Sequence, residues 1–450
     1  EIRLSLVGSE MCIRDSPAGH RGAPRRGAPR RGAARLGALL LTVALAACGE
    51  SPAAPAGGGA DSLTVLPRSL SPGEQRAVRG GSHFAFDLLK AVDQGARGNV
   101  LLSPLSVSFA LGLTMNGSAG TTQAQMQQVL GWGAAPRAEI NAAYRDLMTL
   151  LPQLDSGNVT VQIANGIWVR RPNVPDTGFV SDARVFFAAP VQSLATPSLM
   201  YDSVNAWGAR ATRNMIPRVL EGTPSDDLMM VLGNTVYFAG TWRERFDPAR
   251  TAPRPFTLEN GTVVQVPMMS RVGGAPTVYL GGADRLPPLV ATELPYGNSA
   301  YSMLVLMPMV GSAGDLVQRL DTALYGQISR AVATGETRGE VVLPKFTLTA
   351  SRALSPALSA MGMSRAFSDQ AEFPRLFPSV ATRIGFVQHA VAVTVEERGT
   401  RAAAVTAVGI GPVSMPAGVV VNRPFIFLIR ERLTGAILFS GVVRDPRPQG

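Results

Sequence analysis

From residue 82 the apolar positions of "SHFAFDLLKAVDQG" fall at helical spacing and stop at a glycine, which predicts an amphipathic helix. "NVLLSPLSVSFALGLTMNGSAG" opens as a short strand and runs into a second helix, and "TTQAQMQQVLGW" and "EINAAYRDLMTLLPQL" read as two more. Strand-like runs follow: "VTVQIANGIWV", "MMVLGNTVYFAGTW", "AYSMLVLMPM", "EVVLPKFTLTA", "HAVAVTVEE", "GVVVNRPFIFLIRE" and "AILFSGVV". Helices come mostly first and strands mostly later, an α+β pattern with large mixed or antiparallel sheets. Residues 49–75 are rich in Gly, Pro, Ala and Ser and predict a flexible tether. No second linker and no repeat follows, so residues 76–450 are expected to form one domain.

One stretch fits neither pattern. "EERGTRAAAVTAVGIGPVSMP", residues 396–416, is too β-permissive for a linker and too small-sided for a core strand. Alternate residues of a strand share a face. From Thr400 one face carries Thr400, Ala402, Ala404, Thr406, Val408 and Ile410, all small or apolar, and the opposite face begins with Arg401. Such a segment can enter a sheet without burying a charge.

With 450 residues, 46% of them hydrophobic and 16% charged, the composition is globular. The formal net charge of +10 narrows little. Arg21, Arg25, Arg26, Arg30, Arg31 and Arg35 precede the apolar run "LGALLLTVALAAC" and supply about half the excess, so no nucleic-acid partner follows from it. Residues 1–48 read as a leader with a signal peptide, its apolar run too short for a permanent membrane span, and its first 16 residues read as a sequence-assembly scar. Leu45-Ala46-Ala47-Cys48 resembles the lipobox of bacterial lipoproteins, in which the cysteine is lipidated; a plain secretory signal is the alternative. Either way the body is expected to be exported, as a cell-envelope lipoprotein or a secreted protein, with the membrane met only through a lipid on Cys48.

Cys12 and Cys48 are the only cysteines, which excludes a disulfide framework, a thiol nucleophile and a cysteine metal site from the body. Of His20, His83 and His389, two fall in the body, thin material for a triad or a zinc site. "NGSAG" is not G-x-S-x-G, H-E-x-x-H is absent, and "GIGPVS" lacks the helix a phosphate loop must open. No nucleophile-plus-base pair survives, and His389, inside an apolar strand pattern, reads as a structural histidine. The chain is not expected to be an enzyme, and no cofactor or metal is implied.

"VVVNRPFIFLIRERLTGAILFSGVVRDP" (residues 419–446) resembles the C-terminal signature of the serpins, and "EERGTRAAAVTA" is similar to the serpin hinge. "NVLLSPLSVSFAL", "NTVYFAGTWRERF", "VPMMSR", "ELPYGNSAYSMLVLMP" and "LPKFTL" fall in the family's order and spacing across residues 80–446. The resemblance implies the serpin α+β fold, with three sheets, about eight or nine helices and an exposed reactive-centre loop at 399–416. It implies a monomeric inhibitor that acts as a suicide substrate. In that mechanism the hinge, here Glu397, Gly399, Thr400, Ala402, Ala403 and Ala404, enters the central sheet as a strand once the bait bond is cut. Counting from Glu397 and back from Asn422-Arg423-Pro424-Phe425 places that bond at Val413-Ser414. A valine on the acyl side suits an elastase-like serine protease with a small apolar pocket. The family's buried polar cluster maps onto Ser103, Ser106, Asn205 and His389, and its loop-entry region onto Trp242 and Lys345, with Lys345 and Glu397 a candidate ion pair. The helix that binds heparin in some serpins is here "TTQAQMQQVLGW", without Lys or Arg, so no glycosaminoglycan cofactor is expected. The alternative is a non-inhibitory, exported binding or adhesion lipoprotein that uses the fold as scaffold.

Overall fold

Ser71 and Glu74 begin the first helix as a reciprocal capping box, with Pro72 at the first helical position, and α1 then runs over Pro72–Asp93. The computed structural model describes residues 62–281, 288–337, 339–400 and 418–448. Eight further α-helices follow among them: α2 (Pro104–Met115), α3 (Gly120–Val129), α4 (Arg137–Leu150), α5 (Thr177–Phe187), α6 (Pro197–Ala211), α7 (Ala313–Arg319), α8 (Thr322–Ala333) and α9 (Ser355–Leu358). Ser103, Asp176, Thr196, Ser312 and Asp321 each accept a backbone N–H three residues on, so short polar side chains fix where α2, α5, α6, α7 and α8 start.

The predicted tether ends earlier than expected. Leu63, Leu66 and Leu70 pack against the second of the cores described below, and the Leu63 N–H donates to Asn298 O at 2.7 Å. Arg68 forks onto both oxygens of the fully buried Glu74, at 2.8 and 2.6 Å. Three spaced leucines and one charge pair therefore bring residues 62–75, expected in the tether, into the folded body.

Three sheets form the frame. The central, six-stranded sheet has the order β12 (Phe346–Ala353), β13 (Gln388–Glu396), β14 (Gly399–Thr400), β4 (Met230–Thr241), β2 (Val159–Arg170), β3 (Val191–Leu194). A seven-stranded sheet runs β1 (Val100–Leu102), β17 (Ile437–Val443), β16 (Phe425–Glu431), β9 (Tyr301–Pro308), β8 (Leu289–Pro295), β7 (Pro276–Leu280), β10 (Glu336–Thr337). The four-stranded sheet is β15 (Val419–Val420), β11 (Glu340–Pro344), β6 (Val263–Val272), β5 (Ala252–Thr257). Pro253 and Pro255 lie on the edge strand β5, where a missing N–H costs no inner ladder bond.

One core joins α1, α2 and α4 to the seven-stranded sheet. A second lies where all three sheets meet, with Val236 and Phe238 from β4, Val391, Val393 and Val395 from β13, Tyr301 and Met303 from β9, and Val341 from β11. A third, small cluster seats α6 on the outer face of the central sheet through Met200, Val204, Trp168 and Val231. β4 thus turns its even-numbered residues inward and its odd-numbered ones toward α6.

Candidate functional site

The feature that sets the central sheet apart is β14. Gly399 pairs with Glu396 of β13 and Thr241 of β4, and Thr400 with Val395 and Gly240, antiparallel on both sides. Among the described residues the facing edges of β13 and β4 have no ladder to each other; β14 alone joins them, while their outer edges pair with β12 and β2. Gly399 and Thr400, expected at the start of an exposed loop, are buried in the sheet instead. The reason is steric and polar together. A Cβ at Gly399 would run into the carbonyl oxygen of Gly240, so only glycine lets the two backbones approach this closely. Thr400 then buries its hydroxyl against that of Tyr296, 2.5 Å away.

An aromatic pair holds the turn that leads into β14. Trp242, buried just beyond β4, stacks on Tyr296 with centroids 4.4 Å apart and planes 11° from parallel. Its indole N–H donates to Glu396 O at 2.8 Å and its backbone N–H to Arg398 O at 2.9 Å. Phe246 meets the indole edge-on. On the other side of the turn Lys345 Nζ donates to Glu397 Oε2 at 2.8 Å, and the Thr251 hydroxyl donates to Oε1 at 2.9 Å. Burial works against the Glu397 carboxylate, yet the hydrogen bonds from Lys345 and Thr251 outweigh it and hold the carboxyl below its ordinary value. The structure thus brings Trp242, Lys345, Glu397, Gly399 and Thr400 together, the last two inside the sheet. Tyr296 and Thr251 were missed, although Tyr296 sits inside the quoted "ELPYGNSAYSMLVLMP".

Farther down the same sheet lies the polar cluster. His389 Nε2 accepts the Ser103 N–H at 3.0 Å, and the Ser103 hydroxyl donates to Leu438 O at 2.8 Å. The Ser106 hydroxyl donates to Asn234 Oδ1 at 2.5 Å, Asn234 Nδ2 to Asn165 Oδ1 at 2.7 Å, and Asn165 Nδ2 to Phe187 O at 2.7 Å. Burial pushes His389 down to about 4, which keeps its ring neutral and able to accept. Asn205 does not belong here. It lies on α6, where its side chain accepts the Val219 and Leu220 N–H groups and donates to Leu220 O, closing the chain after that helix. Asn234 of β4 takes the place assigned to it, because its even position faces the core.

Ala402, Ala403, Ala404, Val413, Ser414 and Cys48 lie outside the described residues. α3 carries no basic residue, and no helix among the described residues is long and apolar enough to cross a membrane.

The family model for serpins, described as serine protease inhibitor, matches residues 79–446. Glia-derived nexin of Rattus norvegicus is 30% identical over 360 residues, 77% of this chain and 88% of the nexin. Serpin-Z7 of Hordeum vulgare is 31% identical over 386 residues, 81% of this chain and 95% of its own length. Human glycosylated kallistatin superposes with a TM-score of 0.75 at 22% identity, over 84% of this chain and 100% of that one, a likeness of fold. With three sheets and nine α-helices among the described residues, and the family model matched over residues 79–446, the chain belongs to the serpin family.

Proposed function

We propose that the protein is an exported inhibitor of an elastase-like serine protease and that it acts as a suicide substrate. The target's serine attacks the carbonyl carbon of Val413, the Val413–Ser414 bond breaks, and the segment beginning at Ser414 leaves with the proton on its new amino group. The freed chain then extends from Thr400 as a strand between β13 and β4. Insertion carries the acyl-linked protease across the molecule and deforms its oxyanion hole. Loss of a single oxyanion donor slows such chemistry about 10²- to 10³-fold, so wider distortion leaves the ester long-lived.

The observation that carries this reading is the seating of Gly399 and Thr400 between two strands that, among the described residues, have no ladder to each other. In that register Ala402 would lie between Phe238 and Val393, and Ala404 between Val236 and Val391, all core-facing. Thr406, the next polar residue on that face, would fall beside Asn234 and His389, where a hydroxyl finds the polar cluster rather than hydrocarbon. Arg401 would fall on the opposite face.

Incubation with a pancreatic- or neutrophil-type elastase is expected to give a denaturant-resistant complex and a C-terminal peptide starting at Ser414. A cut elsewhere in the loop would refute the bait bond, and a cut without a stable complex would refute inhibition and favour the scaffold reading.

A further inference from the structure

Resting on that insertion reading, we infer that Tyr296 is a positioning residue that sets the register of the entering strand through its hydroxyl contact with Thr400. A strand that slips by one residue turns every side chain to the other face. Here a slip would bring Arg401 to the inward position and turn the small residues out. The backbone alone guards weakly against this, because β14 begins with a glycine opposite β4 near Gly240, and glycine-rich, small-sided strands specify register poorly. The restraint comes from side chains. Thr400 is 2% exposed, and its hydroxyl has the Tyr296 hydroxyl as its hydrogen-bond partner.

Tyr296 is itself fixed. Its ring is fully buried, stacked on Trp242 and edge-on to Phe238 at 5.1 Å, and its backbone N–H donates to Tyr301 O at 2.9 Å. A Cβ at Gly240 would meet the Tyr296 ring at 2.8 Å, so the ring closes over the strand at the very residue paired with Thr400. A one-residue slip would carry the Thr400 hydroxyl away from Tyr296 and leave two buried hydroxyls unpaired. That penalty falls on wrong registers alone.

Paired cysteines read the register directly, since directly opposite positions approach within disulfide reach and positions one residue out of register point to opposite faces. With Cys12 and Cys48 replaced by Ser, the loop of the full chain is cut by a protease of broad specificity. The Ala404→Cys/Val391→Cys pair should then oxidise at least tenfold faster than Ala403→Cys/Val391→Cys. Tyr296→Phe or Thr400→Val should lower that ratio roughly tenfold, the effect of one lost buried hydrogen bond, and Thr400→Ser should restore it. An unchanged ratio in both Tyr296→Phe and Thr400→Val overturns the assignment while leaving insertion intact. No cross-link of either pair in the parent chain would overturn insertion, and the register role with it.

Discussion

Acid should loosen the intact molecule through His389. Its ring nitrogen accepts the Ser103 N–H at 3.0 Å, and burial holds its pKa near 4 against an ordinary 6.5. A histidine whose folded pKa is depressed gives stability that is fully present above the unfolded value and is lost as pH falls toward the folded one. The window is therefore pH 6.5 to 4. A shift of this size amounts to about 3 kcal/mol in all, of which about 2 kcal/mol is gone by pH 5. Protonation sets an N–H donor against the Ser103 N–H, at the point where β13 meets the start of α2. His389→Gln removes the titrating group and keeps an acceptor. Urea unfolding of both chains at pH 7 and pH 5 gives the difference that matters, because groups common to both cancel, including Glu431, whose carboxyl burial pushes up and which works in the opposite sense. If His389→Gln loses as much stability as the parent between pH 7 and pH 5, the histidine is not the acid-sensitive element.

Glu397→Gln should cost about 1–2 kcal/mol, because it leaves the Lys345 ammonium, 21% exposed, without its charge partner; an unchanged urea midpoint would contradict this. Two adjacent glycines of α1 should respond oppositely to alanine. Gly81 has open space where a Cβ would sit, so Gly81→Ala should stabilise by about 1 kcal/mol, while at Gly80 a Cβ would come within 2.8 Å of Leu130 O, so Gly80→Ala should destabilise. Equal shifts of the unfolding midpoint would show that helix propensity alone is at work. Val413→Arg should move cleavage from elastase-like to trypsin-like proteases, and unchanged relative cleavage rates for the two classes would remove Val413 from the bait position.

The long strands were legible because their burial is written in largely apolar runs, Phe425 to Ile429 in β16 and Ile437 to Phe439 with Val442 and Val443 in β17, and all seven residues of each strand are buried. The four-stranded sheet was less so. β5 reads "APRPFT", and two prolines argue against a strand anywhere but at an edge, which is where it lies. The segment at 62–75 was obscured for a related reason. Its Pro, Gly and Ser content outweighs three leucines in any composition window, yet those leucines are what bind it to the core.

At the site, sequence and structure part over which polar residues meet. Ser103, Ser106 and His389 carry their role through backbone and side-chain bonds made within or beside long elements, and they come together. Asn205 and Asn234 are chemically equivalent choices, and only strand parity separates them. Phe238 and Val236 are inward on β4, so Asn234 is inward too, whereas Asn205 sits on a helix outside the sheet. The same parity argument, carried across β14, puts Thr400 on the inward face with Val395. What no periodicity could supply is the contact between Thr400 and Tyr296, 104 residues apart in sequence. It depends on two glycines, Gly240 and Gly399, that bring backbones together and leave no side-chain pattern behind. A polar pair created by the absence of side chains shows itself only when the strands are laid next to one another, and here it lies where β14 seats between β13 and β4.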